Sequence, residues 1–436
     1  MAKNQITKPR SISGFPEWLP EQQRLQDRWM SSIKNTFESF GYQHVETAAI
    51  ELTEVLAAKG VEQKEIYSLT RLQAEDKEES RYSLHFDLTV PFARYVALNQ
   101  AQLTFPFKRY QMQKVWRGER PAQGRFREFY QCDIDIVGID NLPLSFDAEL
   151  LEVMGAVFSS IDSGDVILKC NHRKILQGFY EGLGLEPEVQ SQVLIEVDKI
   201  EKVGKTVLSE RLGSLGVTKE KADKILKLAT SCHGVAGLES HFQSFGIESE
   251  LFSEGVRELL AVLNLVPARD GVELIWDGSI ARGLNYYTGI IFETTLKGSE
   301  ELGSICSGGR YEDLCARFSK TRMPGVGISL GLTRLFSHIL AKRELDKTFS
   351  SDYVLMISMS KEQVVEQKAV ASAMRSNGWK VELTPVGKLK KLINYANKKG
   401  IPNVIIPNED GSFEWKDMLS GEQERIERDV LIKKQL

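Results

Sequence analysis

The segment "RGLNYYTG", residues 282–289, puts Arg282 and two adjacent tyrosines, Tyr286 and Tyr287, on a glycine-flanked turn that runs into "IIFETTL". A turn needs the glycines for its backbone, but it needs neither the guanidinium nor the phenols. Five more arginines, Arg117, Arg120, Arg125, Arg310 and Arg334, stand beside glycines or aromatics at predicted turns and strand ends. Guanidinium is a rigid fork of donors that suits phosphate and carboxylate. Any one of these arginines alone reads as a surface ion-pair residue. As a set spread over two regions that would share one sheet, they fit a polyphosphate site better. "EFYQCDIDIVG" adds a second kind of chemistry. By pleat parity Gln131, Asp133 and Asp135 share one face of a strand whose other face carries Cys132, Ile134 and Ile136. A polar stripe of this kind is either solvated or lines a site.

Other chemistries are poorly supported. There is no GxxxxGK[ST] loop and no HExxH, and the six histidines and five cysteines never fall at zinc-ligand spacing. "GVGISLG" has the spacing GxGxxxG with no acidic ribose partner following, so it is a poor dinucleotide turn.

The elements that must position these groups read as follows. Leu25, Trp29, Ile33, Phe37 and Phe40 recur at helical spacing, and Gly41 follows as a C-terminal cap. "HVETAAIE", "YSLHFDLTV", "RYQMQKVW" and "FREFYQCDIDIVG" read as strands. Between the last two, "RGERPAQGR" is a polar loop with Pro121 and Gly124, so the pair is an antiparallel hairpin with a charged tip. Residues 171–265 are charged, helical and short of motifs, as an inserted helical subdomain would be. "VELIWD" and "IIFETTL" are strands again. "RELDKTFSSD" reads as a linker, followed by a βαβ alternation that predicts a small α/β domain with a mostly parallel sheet.

Composition sets outer bounds. The 436 residues are enough for two or three domains. A hydrophobic content of 42% and a charged content of 27% are those of a globular chain. A net charge of −4 argues mildly against a general nucleic-acid coat, although a local basic patch is enough for a specific partner. No apolar stretch reaches the roughly 20 residues of a membrane span, and the N-terminus lacks a secretory segment. Five cysteines with no CxxC pair point to reduced thiols and a cytoplasmic protein.

Five separated segments then resemble one family in the right order. "VWRGERPAQGRFREFYQCDIDIVG" is similar to motif 2 of the class II aminoacyl-tRNA synthetases, and "PGVGISLGLTRLF" to their motif 3. "RGLNYYTG" and "SGGRYEDL" resemble the two signature peptides of the histidyl-tRNA synthetase family, and "LHFDLTVPFARYVA" its amino-acid-binding strand and helix. The resemblance implies an α+β catalytic domain, an antiparallel sheet flanked by helices, in two parts, 1–170 and 266–342. A helical insertion would fill 171–265, and an α/β anticodon-binding-like domain 350–436.

It further implies that histidine is activated with ATP to the adenylate and then transferred to the 3′ end of tRNA(His), in a cytoplasmic homodimer. Arg282 and Arg117 would act at the α-phosphate. Glu119 and Phe129 would hold adenine, and Arg125 and Arg334 the outer phosphates, with Mg2+ carried mainly by the triphosphate and no metal ligand assigned to the protein. Asp87, Thr89 and Gln131 would bind the α-amino group. Asp135, Tyr286 or Tyr287, and Tyr311 would surround the imidazole. An imidazole donates from one nitrogen and accepts at the other, so an acid paired with a hydroxyl reads both edges. Arg120 and Gln123 would reach the tRNA acceptor end.

In "GKLKKLINYANKKG", Lys388, Lys390, Lys391, Lys398 and Lys399 surround Tyr395, a pattern that suits a phosphate backbone and an unpaired base. The chain departs from the family pattern at Asn285, where aspartate is usual, at His85 for arginine and at Ala48 for proline. The competing readings are a non-catalytic regulatory subunit of ATP phosphoribosyltransferase and a class II synthetase for another amino acid. The intact signature peptides and C-terminal segment weigh against the first.

Overall fold

The structure, a computed structural model, describes residues 7–57, 63–72, 81–122, 124–281, 287–312, 315–342 and 349–436. The chain divides into two compact units, Met1–Arg343 and Glu344–Leu436.

Nine strands of the first unit form its large sheet: β1 (Gln43–His44), β5 (Phe107–Trp116), β6 (Glu128–Val137), β7 (Val166–His172), β8 (Cys232–Gly234), β9 (Val272–Asp277), β10 (Ile290–Leu296), β11 (Cys306–Tyr311) and β12 (Gly325–Gly331). The order is β1-β5-β6-β12-β11-β10-β7-β9-β8, antiparallel except for the β1–β5 and β7–β9 pairs. A separate small sheet holds β2 (Ile50–Leu52), β3 (Ser68–Leu69) and β4 (Tyr82–Leu84).

One face of the large sheet is apolar and carries helices. The Pro20–Ser39 helix starts with proline at its first turn and ends at Gly41, whose φ of 80° only glycine adopts freely. Its buried Trp29, Ile33 and Phe37 join Cys132, Ile134 and Ile136 of β6 and Val326, Ile328 and Leu330 of β12 in one core. Trp18 and Trp29 both meet Phe336 edge-on, at 5.3 and 5.5 Å, which ties this helix to the Leu332–Lys342 helix.

Three sequence readings need correction. "HVETAAIE" is not one strand: β1 ends at His44 and β2 begins at Ile50. Between them side chains of β5 replace a backbone ladder. Gln111 Nε2 donates to Thr47 Oγ1 at 3.0 Å, and Gln113 Nε2 to the Thr47 carbonyl at 3.2 Å. "YSLHFDLTV" is a strand only to Leu84, because Asp87 Oδ1 accepts from the Val90 amide at 3.1 Å and caps the Thr89–Asn99 helix. The segment 171–265 is not wholly helical. It contributes β8 to the sheet edge, and its Phe179, Phe242 and Phe252 gather near Trp276 of β9 in the same core as the sheet. A helical layer that buries its apolar face on the sheet has no need of a core of its own.

The second unit follows the βαβ reading. β13 (Tyr353–Met356), β14 (Lys380–Leu383) and β15 (Asn403–Pro407) are parallel, and the Gln363–Ser376 and Leu389–Lys399 helices connect them. Two antiparallel strands that the sequence reading passed over, β16 (Phe413–Asp417) and β17 (Gln423–Ile426), complete the order β14-β13-β15-β16-β17.

Candidate active site

The other face of β6 is the polar stripe expected from its alternation, and it is buried. Gln131, Asp133 and Asp135 are 6%, 2% and 3% exposed, so the solvated alternative is excluded. Register sets their neighbours. Asp135 lies between Arg109 of β5 and Gly327 of β12, and Asp133 between Gln111 and Ser329. Arg109, fully buried, pairs with Asp135 at 2.6 Å and stacks its guanidinium 4.3 Å over the Phe92 ring. The Tyr311 hydroxyl donates to the other oxygen of Asp135 at 3.1 Å. Asp133, Asp135, Thr89, Tyr287 and Tyr311 line one cavity over these strands, with Ser307 and Ser329 at its floor.

Glycines make that floor. A methyl group on Gly327 would lie 2.0 Å from Asp135 Oδ1. On Gly325 it would lie 2.3 Å from the Tyr311 ring, and on Gly309 2.8 Å from the Tyr287 ring. The tyrosines and the aspartate therefore rest directly on the backbones of β11 and β12. This explains the glycines of "SGGRY" and "PGVGISLG" without any nucleotide turn.

Burial dominates the electrostatics. It lifts the Asp133 carboxyl to about 7, against the opposing pull of the Arg109 charge and a hydrogen bond from Ser329. It lifts Asp135 to about 6, although Arg109 and Tyr311 pull the other way. Asp87 also moves up on burial, opposed by the Val90 amide and by Arg117. The Arg117 guanidinium is pulled down by burial and held up by Asp87, Glu119 and Asp133. Three acids thus face two guanidiniums in one low-dielectric region, an arrangement that favours a cationic ligand.

The hairpin tip between β5 and β6 carries the remaining expected groups. Arg117 donates to the Phe86 carbonyl at 3.2 Å and lies 4.5 and 5.1 Å from the rings of Phe86 and Phe129. Phe129 shares the face of Gln131 by pleat parity, so one wall offers a ring for stacking beside a guanidinium. Glu119 pairs with the exposed Arg125 at 3.7 Å. Arg334 reaches from its helix to donate to the carbonyls of Gly124, at 2.9 Å, and Ser304, at 2.7 Å, which fastens the tip to the sheet. Arg120 is exposed. Arg282, Tyr286 and Gln123 lie outside the described residues.

Arg310 does not belong to a phosphate-binding set. It is buried on the helix side of the sheet, where both oxygens of Asp147 and the carbonyls of Leu142 and Pro143 take up its donors. The backbone of Arg310 receives the Thr288 amide at 2.9 Å, so it also anchors the end of "RGLNYYTG".

In the second unit Lys388, Lys390, Lys391 and Lys398 are exposed. Tyr395 is exposed, its hydroxyl donates to Glu382 at 2.6 Å, and Lys399 sits 5.2 Å over its ring. Among the described residues no group of three or more His, Cys, Asp or Glu side chains is set to hold a metal ion.

Sequence reasoning missed Arg109, Ser307 and Ser329. The alternation Arg109, Gln111, Gln113 against Tyr110 and Met112 in "RYQMQ" was a signal for the first, since a buried strand arginine requires a buried acid. The two serines stand across the sheet from Asp133 only by register, which no local pattern carries.

An antiparallel sheet with a charged hairpin loop, helices on one face and a polar ligand cavity on the other is the class II aminoacyl-tRNA synthetase arrangement. The family model described as histidyl-tRNA synthetase matches residues 14–335, and the chain belongs to that family. A histidine–tRNA ligase from Thermobifida fusca is 43% identical over 97% of this chain and 98% of its own. One from Stenotrophomonas maltophilia is 41% identical over 98% and 97%. The crystal structure of histidyl-tRNA synthetase from Nostoc sp. PCC 7120 superposes with a TM-score of 0.87, at 37% identity, over 98% of this chain and 99% of that one. A structure described as an ATP phosphoribosyltransferase regulatory subunit/histidyl-tRNA synthetase, from Bacillus halodurans C, shares the fold at 18% identity and a TM-score of 0.75. Among the described residues no helix is long and apolar enough to cross a membrane.

Proposed function

We propose that this chain activates histidine with ATP, releasing pyrophosphate, and transfers the histidyl group to the 3′ end of tRNA(His). The supporting observation is a buried cavity in which Asp135, held between Arg109 and Tyr311, can accept from one imidazole nitrogen while a tyrosine hydroxyl serves the other. Tyr311 and Tyr287, with Tyr286, supply the hydroxyls in this reading. Asp87, Thr89 and Gln131 take the α-amino group. Phe129 stacks on the adenine ring, and Glu119 accepts from its amino group.

Histidine's carboxylate is ionised at neutral pH, so activation needs no general base. It needs in-line placement at the α-phosphorus and compensation of the charge that grows on the phosphate oxygens. Arg117 and Arg282 supply that compensation, and Arg125 and Arg334 meet the outer phosphates. For Arg334 this means exchanging or sharing its bonds to the Gly124 and Ser304 carbonyls. Magnesium arrives on the triphosphate. The exposed Arg120, with Gln123 in this reading, meets the acceptor end, and Lys388, Lys390 and Lys391 the anticodon arm, in a cytoplasmic homodimer.

The test is ATP–pyrophosphate exchange with each amino acid offered singly. Exchange with histidine alone is expected. No exchange with any amino acid in folded protein contradicts the proposal and favours the regulatory-subunit reading, and exchange with a different amino acid makes it another synthetase.

A further inference from the structure

Two buried acceptor atoms on the polar face of β6 are left over, one of them on Asp133, which lines the cavity. Gln131 Nε2 donates to Ser329 Oγ and lies 3.5 Å from Asp133 Oδ1. Among the described residues this leaves Gln131 Oε1 and Asp133 Oδ2 buried with no hydrogen-bond partner. A buried acceptor without a donor costs on the order of 1–3 kcal/mol, more if charged, so a pair of them side by side marks a place for a donor that arrives with a ligand. Among the described residues the fully buried guanidinium beside them, Arg109, faces Asp135 at 2.6 Å. A cationic or strongly polar donor can reach Asp133 from the cavity side.

Strand geometry says which part of the ligand it is. Asp133 and Asp135 are two residues apart on one face, so their carboxyls project in parallel about 6.8 Å apart. In histidine four bonds of about 1.5 Å separate the ammonium nitrogen from the nearer ring nitrogen, a span of roughly 4–5 Å. An imidazole at Asp135 consequently brings its own ammonium group to the next pleat, where Asp133 stands. Gln131 is one pleat farther and reaches the same ammonium group with its longer side chain, and its amide nitrogen lies 3.5 Å from Asp133 Oδ1.

We infer that Asp133 is a substrate-binding carboxylate that takes the α-ammonium group of the amino acid through its free oxygen, with the Gln131 carbonyl oxygen beside it. The inference rests on the reading of this cavity as the histidine site, and it adds a residue to which that reading gave no role. Ser329, placed opposite Asp133 by register, completes the pocket for the ammonium group. The Asp133 carboxyl, lifted by burial to about 7, ionises fully once a cation lies against it. The device is selective, because a ligand lacking the amino group leaves both acceptors unpaired.

The experiment compares binding of three small molecules to the full chain by calorimetry, in the wild-type protein and in Asp133→Asn. Histidine carries both an ammonium and a carboxylate. Histidinol keeps the ammonium and ring but lacks the carboxylate, and 3-(imidazol-4-yl)propionate keeps the ring and carboxylate but lacks the ammonium. In Asp133→Asn, histidine and histidinol are expected to weaken tenfold or more, the scale of losing a charge-assisted hydrogen bond. The propionate should weaken less than threefold. Asp133→Ser, which is smaller and neutral, should give the same split if the amide variant proves unstable in a thermal melt. A histidinol affinity changed less than threefold, or a propionate weakened as much as histidinol, overturns the inference while leaving the histidine site intact. Wild-type protein that binds none of the three overturns the histidine reading itself and this inference with it.

Discussion

Arg310 with Asp147 and Arg109 with Asp135 are two buried arginine–aspartate pairs on opposite faces of one sheet. On the helix side four of the five N–H donors of Arg310 are used: two bonds to the carboxylate and two to backbone carbonyls. The pair locks the Ser145–Ser160 helix and the turn at Pro143 onto β11. On the other side Arg109 and Tyr311 hold Asp135 in a cavity, and the adjacent Asp133 keeps an oxygen unpaired. Burial and charge are alike in the two places. Saturation differs, and it separates a pair that serves the fold from a pair that serves a ligand.

That comparison can be broken by mutation. Asp147→Ala strands a buried guanidinium and should cost roughly 3–5 kcal/mol in urea unfolding. The histidine KM of the folded fraction should stay within about threefold, since the pair touches no ligand. Arg117→Ala should lower the ATP–pyrophosphate exchange rate by roughly 10²–10³, the scale of losing one preorganised charge-stabilising donor. An effect below tenfold would remove Arg117 from the chemical step. Asp135→Ala should raise the histidine KM by roughly 10²-fold, as expected for charged hydrogen bonds of about 1.5–3 kcal/mol, with the ATP KM little changed. A loss of stability with the histidine KM changed less than threefold would mean that Asp135 is a second Asp147.

The smallest effect is on pH dependence. Asp133 faces Arg109, Asp135, Asp87, Arg117 and Ser329, and its folded-state carboxyl lies near 7 rather than 3.8. The folded protein therefore keeps a proton there that the unfolded chain has released, and between about pH 4 and 7 its stability falls as pH rises, by at most about 1.4 kcal/mol per unit. The unfolding free energy of ligand-free wild type relative to Asp133→Asn should decline from pH 5 to 7.5. Saturating histidine, whose ammonium favours the ionised carboxylate, should flatten that decline.

The sequence disclosed most where a pattern is local. The spacing of Trp29, Ile33 and Phe37 specifies a helix, and the alternation of Gln131, Asp133 and Asp135 puts three polar groups on one face by pleat parity alone. It disclosed less where the decisive fact is register or satisfaction. Arg310 looks like a phosphate ligand in a string of letters, yet Asp147 and backbone carbonyls hold it. Arg109 looks like an ordinary strand residue until register sets it opposite Asp135. The glycines of β11 and β12 read as turn signals, because their reason, the rings and carboxylate resting on them, comes from strands far apart in the chain.

The polar face of β6 holds histidine with its ring at Asp135 in the proposed function. A crystal structure of the protein with histidine and ATP tests it most directly. The imidazole is expected between Asp135 and the tyrosine hydroxyls, with the carboxylate turned toward Arg117 and the nucleotide phosphates. An empty cavity with both substrates present, or histidine bound with its ring away from Asp135, would contradict it.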